Sequence, residues 1–171
     1  GFVFVAQMRA NLPDAVGGVL WFGTDDANMT VFTPVYCCTT KAPVCYTRVD
    51  GADYITFSWN SAFWIFNWVA NMVYPRYDLM IGDVRATQNE LETTFNEAQE
   101  GIEAAAVKLY EKNPETAVKF LTNYTDMTAQ STFNTWKRLG EFIIVKYNDG
   151  VIRKMKDGKF ERNAIGQPAG V

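Results

Sequence analysis

An α+β fold, with a short antiparallel sheet against packed helices and a long helical hairpin beside it, is predicted by three features of this 171-residue sequence. Up to about residue 57, short apolar segments alternate with clusters of Gly, Pro, Asn and Asp, the pattern of strands and turns. After Ser58 the apolar spacing changes to helical. At Asn113-Pro114 a helix restarts between two long amphipathic segments, which folds them into a hairpin.

Each element has its own justification. Phe2 to Met8 alternates as a short strand that runs out at Gln7 and Arg9, before a turn at Asn11-Leu12-Pro13-Asp14. Gly17 to Gly23 is a second apolar run bounded by glycines, and Thr30 to Tyr36 is a third. The turn at Asp25 to Asn28 is short enough to join these two as an antiparallel hairpin. Thr39 to Asp53, with Pro43 and Gly51, reads as a loop. Asn60 or Ser61 caps a helix to about Tyr74 that is apolar nearly all round, and Pro75 ends it.

A second helix starts near Asp78, with Ile81, Val84, Leu91, Phe95, Ala98, Ile102, Ala105 and Leu109 in mostly three- and four-residue steps. At about 1.5 Å per residue it reaches roughly 50 Å, so it lies along a larger body or projects from it. Asn113 caps the next helix, with Pro114 in its first turn. Val118, Leu121 and Tyr124 form one stripe, and Phe133, Trp136, Leu139, Ile143 and Tyr147 another. Phe142 to Tyr147 reads as helix, with Gly150 just past its end, in preference to a strand turning at Asn148-Asp149-Gly150. The chain thus divides into strands and loops over residues 1–57, helices over 58–150 and a tail over 151–171.

Composition excludes several functions. A net charge of −3 gives no footprint for nucleic acid. No run of about 18 apolar residues is present, so no membrane span is expected. The sequence has no His, which removes Ser-His-Asp and Cys-His catalysis and His-liganded zinc. Cys37, Cys38 and Cys45 lack the paired spacing of a metal site, and no metal or cofactor is expected. Cys38 and Cys45 can close a loop in an oxidising compartment. The compartment stays open, with a periplasmic or secreted setting slightly favoured over a cytoplasmic one. Acids dominate from Asp78 to Glu115 and bases from Lys137 to Arg162. These are either solvated faces or a basic tail lying on an acidic helix.

Several stretches, in collinear order, resemble the dipeptidase family of N-terminal-nucleophile (Ntn) cysteine hydrolases, which also includes secernin. They are Gln7-Met8-Arg9 before a Leu-Pro turn, Gly17 to Gly23 with Asp25-Asp26, and Thr33-Pro34-Val35-Tyr36-Cys37. Ser61-Ala62-Phe63-Trp64, Phe66-Asn67, Val69-Ala70-Asn71, Trp136, Leu139-Gly140-Glu141 and Lys146-Tyr147-Asn148 follow. The resemblance implies the C-terminal half of an αββα sandwich and a parent that hydrolyses dipeptides or short peptides. It implies an N-terminal Cys whose thiolate attacks the peptide carbonyl while its own α-amine acts as base. Residue 1 is Gly, and the internal cysteines carry amide-bonded nitrogens, so no catalytic residue is expected in this chain. Beginning inside an apparent strand with no signal peptide, it is expected to continue upstream into the missing half, and homo-oligomers remain possible. The alternative is a non-enzymatic binding or scaffold module built on the helical hairpin.

The substrate-binding candidates are Gln7, Arg9, Trp21, Asp25 and Trp59. Arg9 either holds a substrate carboxylate in a bidentate pair or pairs with Asp14 or Asp26. Gln7, on the same strand face, can donate to an oxyanion or peptide carbonyl. Trp21, Trp59 and Trp64 either wall a peptide pocket or pack in the core. Asp25 and Asp26 are either paired carboxylates or ordinary turn residues.

Overall fold

The computed structural model describes residues 1–162. Strands β1 (Phe2–Met8), β2 (Gly18–Thr24) and β3 (Thr33–Tyr36) form one sheet in the order β1-β2-β3. Both pairings are antiparallel, with Phe4 opposite Phe22 and Leu20 opposite Val35. A single turn, α1 (Asp14–Gly17), joins β1 to β2. Then come an irregular segment over residues 37–61, α2 (Ala62–Val73), α3 (Tyr77–Lys112) and α4 (Pro114–Tyr147).

The α+β class and the helical hairpin hold. α3 has 36 residues and α4 has 34, each roughly 50 Å long. Asn113 caps α4 by accepting from the Glu115 amide at 2.9 Å. α4 is the spine of the molecule. Its Phe133, Trp136, Leu139 and Ile143 meet Ile65, Phe66 and Val69 of α2 and Val84 and Phe95 of α3. Trp136 stacks on Phe66 with ring centroids 4.7 Å apart. Its indole nitrogen is buried without a partner among the described residues. A second cluster, Val16, Val19, Tyr36, Ala106, Leu121 and Tyr124, fixes the sheet's inner face to the far end of the hairpin.

Between α4's two apolar stripes lie Thr122, Thr125, Thr128 and Thr132, all buried. Thr125 and Thr122 accept, through Oγ1, the amides of Tyr36 and Thr40, both at 3.2 Å. Thr33 donates to Thr132 at 3.3 Å. The outward amide of Tyr36, at the end of β3, is therefore taken by a hydroxyl of a helix.

Several expected boundaries move. β3 begins at Thr33, because α3 takes the preceding backbone: Phe32 donates its amide to Glu92, and Gln88 donates to the carbonyl of Thr30. The link from β2 to β3 is thus longer than a tight turn. Ser61 stands at the α2 N-cap position with no side-chain capping bond. Pro75 lies in a single 3-10 turn, Tyr74–Arg76, and the chain re-enters helix at once. The tail contains a small hairpin, β4 (Met155–Lys156) and β5 (Lys159–Phe160). Asp157 and Gly158 turn it with φ of 50° and 74°, the left-handed pair that a two-residue hairpin requires. Phe160 closes it onto Phe142 at 5.3 Å. Residues 163–171 of the tail lie outside the described residues.

Two pairings that the sequence left open are not made among the described residues. Cys37, Cys38 and Cys45 are all free. Cys38 packs with the sheet-side cluster and Cys45 with the α2 cluster, so the two thiols serve different cores. The tail does not line the acidic helix among the described residues, since Arg153 turns back to Asp149 and the Val145 carbonyl. The bridge from the basic segment to α3 comes from α4 itself, where Lys146 grips both oxygens of Asp83 at 2.8 Å.

Candidate functional site

Three of the five candidates meet on the inner face of the sheet. Gln7 and Trp21 lie on one face of adjacent strands, and the Trp21 indole donates to Gln7 Oε1 at 3.1 Å. Gln99 of α3 donates to the same oxygen at 2.8 Å and to Glu103 Oε1 at 2.9 Å. Arg9 Nη1 holds Glu103 in a bidentate grip, 2.6 Å to Oε1 and 2.7 Å to Oε2. Its remaining donors reach the carbonyls of Gly17 and Val16 at 3.3 Å. The Tyr36 hydroxyl completes the group by donating to Glu103 at 3.2 Å. Burial, with the Glu103 carboxylate beside it, pushes the Tyr36 phenol well above its ordinary value, so it stays a donor.

Arg9 therefore pairs neither with Asp14 nor with Asp26 but with a carboxylate 94 residues away. The network ties the sheet to the C-terminal half of α3 and engages all three guanidinium nitrogens of Arg9. Tyr36, Gln99 and Glu103 are the members that sequence reasoning missed. Gln99 and Glu103 stand one helical turn apart beside the apolar stripe at Ile102 and Ala106, a polar pair in a half-buried lane.

The two aspartates do different work. Asp25 sits in the left-handed region, φ 64°, where a non-glycine residue is strained. Its carboxylate lies 3.3 Å from the Gly1 nitrogen and accepts from Asn67 of α2 at 3.2 Å. Asp26 accepts the amides of Asn28 and Met29, both at 2.9 Å, and the Tyr74 hydroxyl at 2.6 Å. That bond to Asp26 raises the Tyr74 phenol. The carboxylates thus face separate partners rather than each other: Asp26 builds the turn and Asp25 joins it to α2.

Trp59 is remote from all of these and 48% exposed. It packs edge-on against Phe57 and Trp68, with the Lys137 ammonium 5.9 Å over its ring. Trp64 is held in place by its indole N–H, which reaches the carbonyls of Asp53 and Thr56 at 2.9 and 2.7 Å.

Burial pushes the Cys45 thiol up to about 12 and also raises that of Cys38. Cys37 is exposed beside Gly18 and Met8. Among the described residues, no group of three or more His, Cys, Asp or Glu side chains is arranged to hold a metal ion.

Residues 1–90 match the model of peptidase family C69. The chain belongs to that family. The match covers the sheet, the irregular segment, α2 and the start of α3, and so takes in Gln7, Arg9, Trp21, Asp25 and Trp59. Membership makes the chain part of a cysteine-type peptidase, a hydrolase acting on peptides. No curated protein matches the sequence. No helix among the described residues is long and apolar enough to cross a membrane.

Proposed function

We propose that this chain is the second half of a peptidase that cleaves dipeptides or short peptides, with the nucleophilic Cys and its free α-amine carried upstream. The family match over residues 1–90 carries this reading. The sheet supports the architecture. Phe2, Phe4 and Met8 of β1 share a face with Leu20 and Phe22 of β2, and Phe2 stacks on Phe22 at 6.0 Å. Phe2, Phe4 and Met8 are 68%, 51% and 67% exposed. An apolar sheet face turned to water is the surface on which a second sheet packs in a layered sandwich. The Ntn plan has such a second sheet. Gln7, Arg9 and Trp21 then support the substrate site from the opposite, helix-packed side of the sheet, Arg9 acting through Glu103 and the strand end it anchors.

Dipeptide cleavage followed by amine release tests the function. This chain alone is expected to be inactive, and its upstream-extended parent active until the N-terminal Cys is replaced by Ala. Turnover by this chain alone, abolished by thiol alkylation, would place a nucleophile at Cys37, Cys38 or Cys45 and overturn the reading. Sedimentation tests the architecture. The open face should drive self-association at micromolar concentration, weakened by Phe4→Lys, whereas a monomer throughout would mean that the face needs no cover.

A further inference from the structure

A cavity of about 400 Å³ opens where the end of the sheet meets the irregular segment. Phe2, Phe22, Tyr46, Tyr54 and Phe63 wall it, and Arg48 stands at its edge. Its walls are aromatic, and its volume is at the small end of ligand sites. The segment that forms its roof is fastened in several places. Asp53 accepts the amides of Ile55 and Thr56 at 3.0 and 2.8 Å. Asp50, at φ 56°, accepts from Ser58 and Asn60 at 2.7 and 2.8 Å. Trp64 holds the carbonyls of Asp53 and Thr56 from below. A wall pinned this way keeps its shape before anything enters.

Arg48 brings a guanidinium to the cavity lining, where its partner, the Asp53 carboxylate, also lies. Arg48 is 74% exposed, and its only hydrogen bond among the described residues is to Asp53 at 3.0 Å. Most of its donor fork is left facing water. α2 begins at Ala62, on the cavity wall, with no side chain capping its first turn, so the helix presents a partly positive end there. An aromatic box with a guanidinium and a helix start at its rim matches a ring carrying a carboxylate a few bonds away.

We propose that this cavity binds the C-terminal residue of a peptide, taking an aromatic side chain inside and the free α-carboxylate at Arg48. The substrate class rests on the peptide-cleaving reading above, but the binding stands or falls without turnover. Titration of the Phe4→Lys chain, in which self-association through the neighbouring face is weakened, with N-acetylphenylalanine, followed by amide NMR shifts, should show saturable binding centred on Thr24, Thr47 and Ala62. N-acetylalanine should bind at least about 10-fold more weakly, because it leaves the aromatic walls unfilled. N-acetylphenylalaninamide should bind several-fold more weakly, and Arg48→Gln should erase that difference. Thr47→Trp, at an exposed position on the rim, should block the cavity and abolish binding while the melting temperature holds. Equal affinity for the alanine and phenylalanine compounds, shifts centred elsewhere, or undiminished binding to the Thr47→Trp chain would overturn the assignment. If binding holds and the extended parent cleaves no peptide, the cavity stands and the peptidase reading falls; the converse result rejects the cavity alone.

Discussion

Removing Arg9 is the most informative single perturbation, because it separates a residue that holds the fold from one kept free for a ligand. In Arg9→Met the packing of the stem survives and the guanidinium is lost. Glu103, whose side chain is 11% exposed, then keeps only Tyr36 and Gln99 as partners. Stranding one member of a buried ion pair costs about 3–5 kcal/mol. Arg9 itself is 19% exposed, so the lower end, about 3 kcal/mol, is expected. For a chain of this size that corresponds to a fall in melting temperature of roughly 6–12 °C. Glu103→Leu should cost a similar amount, since it leaves the guanidinium unpaired. The double variant should lose clearly less than the sum, with a coupling of at least about 1.5 kcal/mol. Urea unfolding followed by tryptophan fluorescence measures all three. A coupling under about 0.5 kcal/mol would refute the reasoning: the guanidinium would then be solvated and available, as a substrate-binding arginine must be.

Two further perturbations probe the helical hairpin. Phe95 is buried where α3 meets α4, and Phe95→Asp should lower stability by several kcal/mol in a thermal melt; an unchanged melting temperature would count against the packing. Gly140 lies in the C-terminal third of α4, where any Cβ would overlap the ring of Trp68, so Gly140→Ala should destabilise by about 1–3 kcal/mol despite its gain in helix propensity. A stabilised variant would show that the ring is free to move aside.

How much of this was legible depended on whether a residue acts through its neighbours in sequence or through distant ones. The three strands, the buried helix and the Asn113-Pro114 restart all follow from local rules, and all are present. Asp26 was legible as turn chemistry for the same reason. The start of β3 was not, because Gln88 and Glu92 of α3 claim the backbone near Thr30 and Phe32 from about 60 residues away. The partner of Arg9 was hidden in the same way. α4 read as two stripes with a gap because its buried threonines look polar in a sequence, although here they face a strand border that needs hydroxyls. The Asp157-Gly158 hairpin went unread for a different reason: its strands are only two residues long, too short to show any alternation.

Those threonines give the sheet a direction of growth. At β3 the outward amide of Tyr36 is occupied by α4 and Pro34 has none to offer, so no additional strand can register there without prying a helix away. At β1 the opposite border is a seven-residue, mostly apolar strand with no neighbouring strand on its outer side among the described residues. Strands can be recruited only there, in a column extending away from α4, whether they come from the same polypeptide, a second copy or an aggregate. The molecule thus grows in one direction, with the threonine-lined helix as its fixed end.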